Sequence, residues 1–302
     1  MRLPLIVLPL ALLLAAASAH AAPKLTVAYA GSMGVVMDRH ISPAFEHARE
    51  AQVRGIGQGA WALARLIAAG RLRPDVFVSV TPGPMRLLIE KGLVRRAIPV
   101  ASTQMAIAYS PKSRFAAAFA RAAKGDIPWY QVLESPGLRL GRTDPATDPQ
   151  GRNVILSFQL AARYYHRPAL VQRILGPLRN PRQIFTEASL LSRLESGQID
   201  AVVGYLSAMR SHHLPYISLP DQINLGEPAY QHDGYDRAGF RIDTGGKSVE
   251  VKPQPLVFYA AVLDKARHPD LARAFVNFLR SRPAQALFRE TGYSPPSGKP
   301  LS

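Results

Sequence analysis

Leu25-Thr26-Val27-Ala28-Tyr29-Ala30-Gly31-Ser32 is a short apolar run, then a turn of small residues, then the start of a helical stretch. An apolar run without polar alternation reads as a strand buried on both faces, and strand–turn–helix is the repeating unit of α/β proteins. Outward from it the pattern recurs. Asp75–Val80, Met105–Tyr109, Asp200–Val203 and Leu256–Val262 are further β-type runs. Between them, Val154, Ile155, Phe158, Ala161 and Tyr165 form one helical stripe, and Ala274, Phe275, Phe278, Leu279 and Leu287 form another over 273–289. A helix from about residue 60 to 69 ends on Gly70, a favoured C′ residue. These signals predict an α/β protein with mainly parallel sheets flanked by helices. Residues 226–255, rich in Gly, Asp and Tyr, predict irregular or antiparallel structure, and the tail after Gly292 is expected to lie extended on the surface.

Upstream, Met1-Arg2-Leu3-Pro4 and the apolar stretch to Ala17 form the n- and h-regions of a secretory leader. Ala19-His20-Ala21 places small residues where a signal peptidase reads, with Ala17-Ser18-Ala19 as a competing site. The run is shorter than the roughly 20 residues of a spanning helix, so residues 1–21 predict a cleaved leader and a soluble periplasmic protein.

The chain contains no cysteine, which removes disulfides, thiolate metal sites, a cysteine nucleophile and a lipoprotein anchor. Its formal charge is +16, or +15 without the leader's arginine. Such a balance suggests an anionic partner. The leader and the scatter of the basic residues point away from nucleic acid and toward either a solvated surface or a field that draws small anions.

Four segments share a turn of small or hydroxyl residues at a helix start: Tyr29-Ala30-Gly31-Ser32, Gly57-Gln58-Gly59-Ala60, Asp148-Pro149-Gln150-Gly151 and Gly204-Tyr205-Leu206-Ser207. The second lacks a convincing strand before it. A helix start offers unpaired N–H groups and a positive dipole end, and so accepts anions. Each segment is also explained by ordinary capping, with Asp148 as N-cap and Pro149 as first helical residue. Together they predict an anion pocket.

The Ala30-Gly31-Ser32 turn, Gly141-Arg142-Thr143-Asp144-Pro145 with Asp148-Pro149 and Gly151, and Tyr216-Ile217-Ser218-Leu219-Pro220 follow in an order that resembles the tungstate/molybdate-binding proteins of ABC importers. The resemblance covers about residues 25–293. It implies a two-lobed type II periplasmic binding fold, with lobe 1 at 22–101 and 255–302 and lobe 2 at 102–254. It also implies capture of an oxyanion between closing lobes, delivery to an inner-membrane permease, a monomer, no cofactor and no catalysis. Ser32 and Asp148 match the family's ligand positions, with the metal centre of the oxyanion near Asp148, and Gly31, Ala60, Gly151 and Ser207 join them as candidate site residues. Tyr205 either places its hydroxyl in the cleft or packs at the hinge, and Arg142 either contacts the oxyanion or is exposed or structurally paired.

Three positions depart from that pattern. A second hydroxyl is replaced by Ala60, a second carboxylate by Gly204, and Gln150 stands between Pro149 and Gly151. Losing a carboxylate removes a hard oxygen ligand, so phosphate, sulfate, an iron complex or a small organic anion suits the pocket as well. Gly204 is expected to leave room for a bulkier ligand. An enzyme is disfavoured: His212-His213 lacks metal-ligand spacing, no Gly-x-Ser-x-Gly elbow occurs, and Gly246-Lys247-Ser248 lacks the earlier glycine of a phosphate loop.

Overall fold

The computed structural model describes residues 22–230 and 234–302. The leader therefore lies outside the described residues. Two sheets build two lobes. The first contains β1 (Lys24–Ala30), β2 (Gln52–Gln58), β3 (Val76–Val80), β4 (Ile98–Ser102) and β11 (Val257–Val262), in the order β2-β1-β3-β11-β4. The second contains β5 (Met105–Tyr109), β6 (Leu140–Gly141), β7 (Ala201–Tyr205) and β8 (Tyr216–Ser218), in the order β6-β7-β5-β8. β9 (Phe240–Thr244) and β10 (Lys247–Val251) form an antiparallel hairpin within the stretch that lacked periodicity.

The wholly buried strands β3, β5 and β7 are the continuous apolar runs of the sequence, covered on both faces by helices. The expectation of mainly parallel sheets holds for strand direction, with one reversed strand in each sheet. β1 pairs in parallel with β2 and β3, and β6 with β7. β11 runs antiparallel to β3 and β4, and β5 antiparallel to β7 and β8. β5 carries the chain from the first sheet into the second and β11 carries it back, so each enters its sheet from the opposite end.

The expected helix over 273–289 is two helices, Pro269–Leu279 and Arg282–Glu290. Ser281 caps the second by accepting from the Ala284 amide, and Pro283 cannot continue a helix through its missing N–H. Phe275 on the first of these helices meets Phe45 edge-on at 4.9 Å, anchoring the helical stretch that follows Ser32. The tail is not free: Ser294 and Leu301 bridge to Ser102 and Ala97 along β4.

No helix among the described residues is long and apolar enough to cross a membrane. Two segments cross between the sheets close together, and the Thr103 amide donates to the Leu256 carbonyl. The strand ends of both sheets thereby face one cleft, and the helix starts gather there.

Candidate functional site

The site assembles because helix starts from the two lobes oppose one another. At the first, β1 ends at Ala30 and Ser32 enters the following helical turn with its side chain buried. Its carbonyl accepts from the Tyr293 hydroxyl at 3.2 Å, which ties the turn to the C-terminal segment. At the second, β2 ends at Gln58 and helix Ala60–Ala68 begins. The Ala62 amide of that helix donates to the Thr147 carbonyl at 3.2 Å, a direct bond between lobes. At the third, Asp148 caps helix Pro149–Tyr164 by accepting from the Gln150 amide at 2.8 Å. At the fourth, β7 leads into helix Leu206–Ser211, and the Ser207 amide donates to Thr103 Oγ1.

A fifth start completes the cluster. Glu187 is the first residue of helix Glu187–Ser196, and its carboxyl reaches the first turn so closely that a Cβ on Gly31 would lie 2.5 Å from Glu187 Oε2. Likewise a Cβ on Gly59 would lie 3.1 Å from Asp148 Oδ2. A side chain at position 31 would therefore displace the Glu187 carboxyl, and one at 59 would crowd the Thr147 carbonyl and the Asp148 carboxyl.

Electrostatics sets this cluster apart. Burial pushes the Asp148 carboxyl up to about 6, against the opposing pull of the Gln150 amide. Burial first and the charge of Asp148 second push Glu187 well above the usual carboxylate range, while Ser32 pulls the other way. Burial also raises Tyr205 far above its ordinary value, reinforced by Asp148. The Glu187 carboxyl and the Ser32 hydroxyl are sealed from solvent side by side with no well-formed hydrogen bond, and the Ser207 hydroxyl is likewise buried beside Tyr293. Buried polar groups are nearly always well paired, so the Ser32 hydroxyl and the Glu187 carboxyl, which line one cavity, make it the candidate ligand site.

The structure places the remaining sequence candidates differently. Tyr205 lines the cleft, and its hydroxyl accepts from Asn153 Nδ2 at 3.1 Å. Ala60 is buried beside Gly59 at the second helix start. Gly151 faces away from the cleft: a Cβ there would meet the Thr143 carbonyl at 2.3 Å, so its role is to let the helix pack on the 143–145 turn. Arg142 is fully buried inside lobe 2, where Nε donates to Gln183 and Nη2 to the Pro177 carbonyl. Burial lowers its pKa to about 10, and its hydrogen bonds brace the 177–183 loop. The room expected at Gly204 is taken. Gln150 Nε2 donates to the Val203 carbonyl and stands 2.5 Å from where a Gly204 Cβ would be. The Gln150 side chain thus lies where a side chain at position 204 would begin.

Glu187 is the site residue that sequence reasoning missed. Its only signal is Thr186-Glu187 ahead of Leu190, Leu191 and Leu194, an ordinary helix start with an acid in the first turn. A cavity of ≈ 460 Å³ opens outward from Ser32, Glu187, Gln150 and Tyr205 toward Tyr29, Leu191 and His212. Chemically, hydroxyl donors can hold the oxygens of an anion, while carboxylates supply hard oxygen ligands to its central atom.

Known proteins agree with this architecture. A solute-binding protein of Halobacterium salinarum is 30% identical over 271 residues, spanning 90% of this chain and 84% of that protein. The molybdate/tungstate-binding protein WtpA of Pyrococcus abyssi is 30% identical over 209 residues, 63% of this chain and 59% of the relative. Among solved structures, the periplasmic molybdate-binding protein of Azotobacter vinelandii superposes with a TM-score of 0.62 at 15% identity, covering 90% of this chain and 100% of that one, a likeness of fold. Residues 25–294 match the bacterial extracellular solute-binding protein family, and the chain belongs to it.

Proposed function

We propose that this protein is the periplasmic receptor of an ABC importer and captures molybdate or tungstate. The carrying observation is the buried Asp148–Glu187 carboxyl pair set among the buried hydroxyls of Ser32 and Ser207. Two carboxylates repel a sulfate or phosphate dianion, whose central atom cannot accept further ligands. A molybdenum or tungsten centre can expand its coordination and take them as ligands. Glu187 supplies the second carboxylate from a different helix start than the one the resemblance indicated, which offsets its absence at Gly204.

In this reading Gly31, Ser32, Ala60 and Ser207 hold the anion's oxygens, Asp148 and Glu187 approach its centre, and Tyr205 closes the wall. Lobe 1 (22–101 and 255–302) and lobe 2 (102–254) close on the ligand as a monomer. The closed form is presented to an inner-membrane permease after the leader is removed. The protein binds without catalysing a reaction and without a cofactor or nucleic acid. A second reading, a small organic anion, rests on the cavity of ≈ 460 Å³, which is larger than one tetrahedral oxyanion and has Tyr29, Leu190 and Met209 in its wall.

Thermal unfolding of the mature protein with molybdate, tungstate, sulfate, phosphate and organic anions separates these readings. Ligand at about a thousandfold over Kd stabilises by about 4 kcal/mol, a rise on the order of 8 °C for a chain of this size. Molybdate and tungstate are expected to give that rise. A rise with another anion and none with either metal oxyanion refutes the assignment.

A further inference from the structure

The helix that begins at Pro149 has a second face, turned away from the carboxyl pair. One turn beyond Asp148, Arg152 is 8% exposed. Its Nε donates to the Pro145 carbonyl at 2.8 Å, and its guanidinium lies over the Trp61 ring at 4.7 Å. Neither Nη atom has an acceptor among the described residues. Arg65 approaches the same ring at 5.9 Å, and its Nη2 donates to the neutral Thr244 hydroxyl. Burial pushes the Arg152 guanidinium down to about 10, the charge of Arg65 pushes the same way, and Asp148 opposes both. A buried guanidinium without an ion-pair partner is costly, and an anion is what relieves it.

Arg152 opens onto a pocket of ≈ 290 Å³. Trp61 and Gly83 come from helices of the first lobe, Arg152 and Asn153 from the second, and Gln254 from the returning segment. Arg86 stands exposed at its edge. Lys252 and Glu250 pair with each other at 3.3 Å, so Arg152 and Arg86 outweigh Glu90 and leave the lining net positive. Thr81, also in the wall, has φ 63° and ψ 154°, a backbone conformation that is rare outside glycine.

We propose that this pocket is a second anion site, in which the two Nη groups of Arg152 hold a small oxyanion or carboxylate bidentately between the lobes. The site is separate from the carboxyl cluster, because it presents a cation where the cleft presents two acids. Its enclosure by both lobes fits a small molecule better than a side chain of a partner protein. An occupant would bridge Trp61 of one lobe to Arg152 of the other and favour closure.

Trp61 reports on the pocket directly. The chain has two tryptophans, and Trp129 is packed against Phe158 and Tyr165 within lobe 2, so Trp129→Phe leaves Trp61 as the sole emitter. Phosphate, sulfate and malonate are titrated into that protein at constant ionic strength set with chloride; the first two test an inorganic oxyanion and the third an organic carboxylate. The expected result is a saturable change in Trp61 emission with at least one of them. Arg152→Gln should shift its midpoint by at least about tenfold, as for loss of one bidentate charged contact. The exposed variant Arg86→Gln, which carries little risk to folding, should shift it about threefold, and Ser32→Ala should not shift it. A response indistinguishable from chloride overturns the proposal. So does an unchanged isotherm in both arginine variants, or a signal lost in Ser32→Ala, which would come from the cleft.

Discussion

The carboxyls of Asp200 and of the Asp148–Glu187 pair are all shielded from solvent, yet their surroundings are opposite. Asp200 accepts from the Ser113 hydroxyl at 2.8 Å and from the Arg139 backbone, Nε and Nη2 at 2.8–3.0 Å. Burial pushes its carboxyl up, but these donors outweigh burial and hold it below the usual range. Asp75 is similar, accepting from the Thr26 and Arg267 amides and so tying β1 to the turn before helix Pro269–Leu279. In the cleft, Asp148 receives one backbone amide and Glu187 has only Ser32 beside it, and in both burial outweighs these donors. A buried acid surrounded by donors secures the fold, whereas a buried acid lacking them is set up for a ligand or a proton.

The sharpest way to break this comparison is to remove one acid of each kind. Asp200→Ala strands the Arg139 and Ser113 donors and should lower unfolding stability by about 3 kcal/mol. Anion affinity of the folded fraction should stay within twofold, read by denaturant melts and calorimetric titration; a variant as stable as the parent would erase the distinction.

Next in size is Gly204→Glu. The new side chain collides with Gln150, so overpacking should cost about 1–3 kcal/mol. Gln150→Ala in the same chain should recover most of that loss. If the single variant is as stable as the parent, Gln150 does not fill the space.

The smallest expected effect, and the most specific, belongs to Glu187→Gln. Losing one charged ligand should weaken molybdate or tungstate binding by at least about tenfold, or 1.4 kcal/mol, with little effect on a sulfate control. The pH profile carries the sign. A carboxyl whose folded pKa is raised leaves the fold unpenalised below the unfolded value and destabilises it as pH climbs through the folded value. For Asp148 that window runs from 3.8 to about 6, and Glu187 extends it upward. Ligand-free protein should therefore lose stability from about pH 4 to about pH 6 and beyond, and Glu187→Gln should flatten the upper part. A melting temperature that rises across this range contradicts the paired-acid reading.

How much was legible depended on whether a signal was local. β1, β3, β5, β7 and β11 are predominantly apolar, interrupted only by Thr26 and Ser79 beyond Lys24 at the start of β1, and declare themselves. Gln52-Val53-Arg54-Gly55-Ile56-Gly57-Gln58 does not, because β2 is an exposed edge strand held by its seven-residue pairing with β1. Ser32 and Asp148 follow from turn chemistry at helix starts. Glu187 could not be singled out, since only the packing of its helix start on Gly31 distinguishes it from any acid in a first turn. Arg142 and Gly151 share a segment with Asp148, yet the helix and the 143–145 turn rotate them inward. The relation between Gln150 and Gly204 is tertiary and has no trace in either position alone.

Gly31 and Gly59 lay their bare backbones against the two carboxyls of the opposite lobe. Closing the cleft without cargo therefore strips water from two acids and gives little in return. In the proposed site, burial then disfavours both charged carboxyls, and the centre of a bound oxyanion would supply the partner they lack. Under the proposed function, the backbones of two glycines thus make closure a measurement of what lies between the lobes.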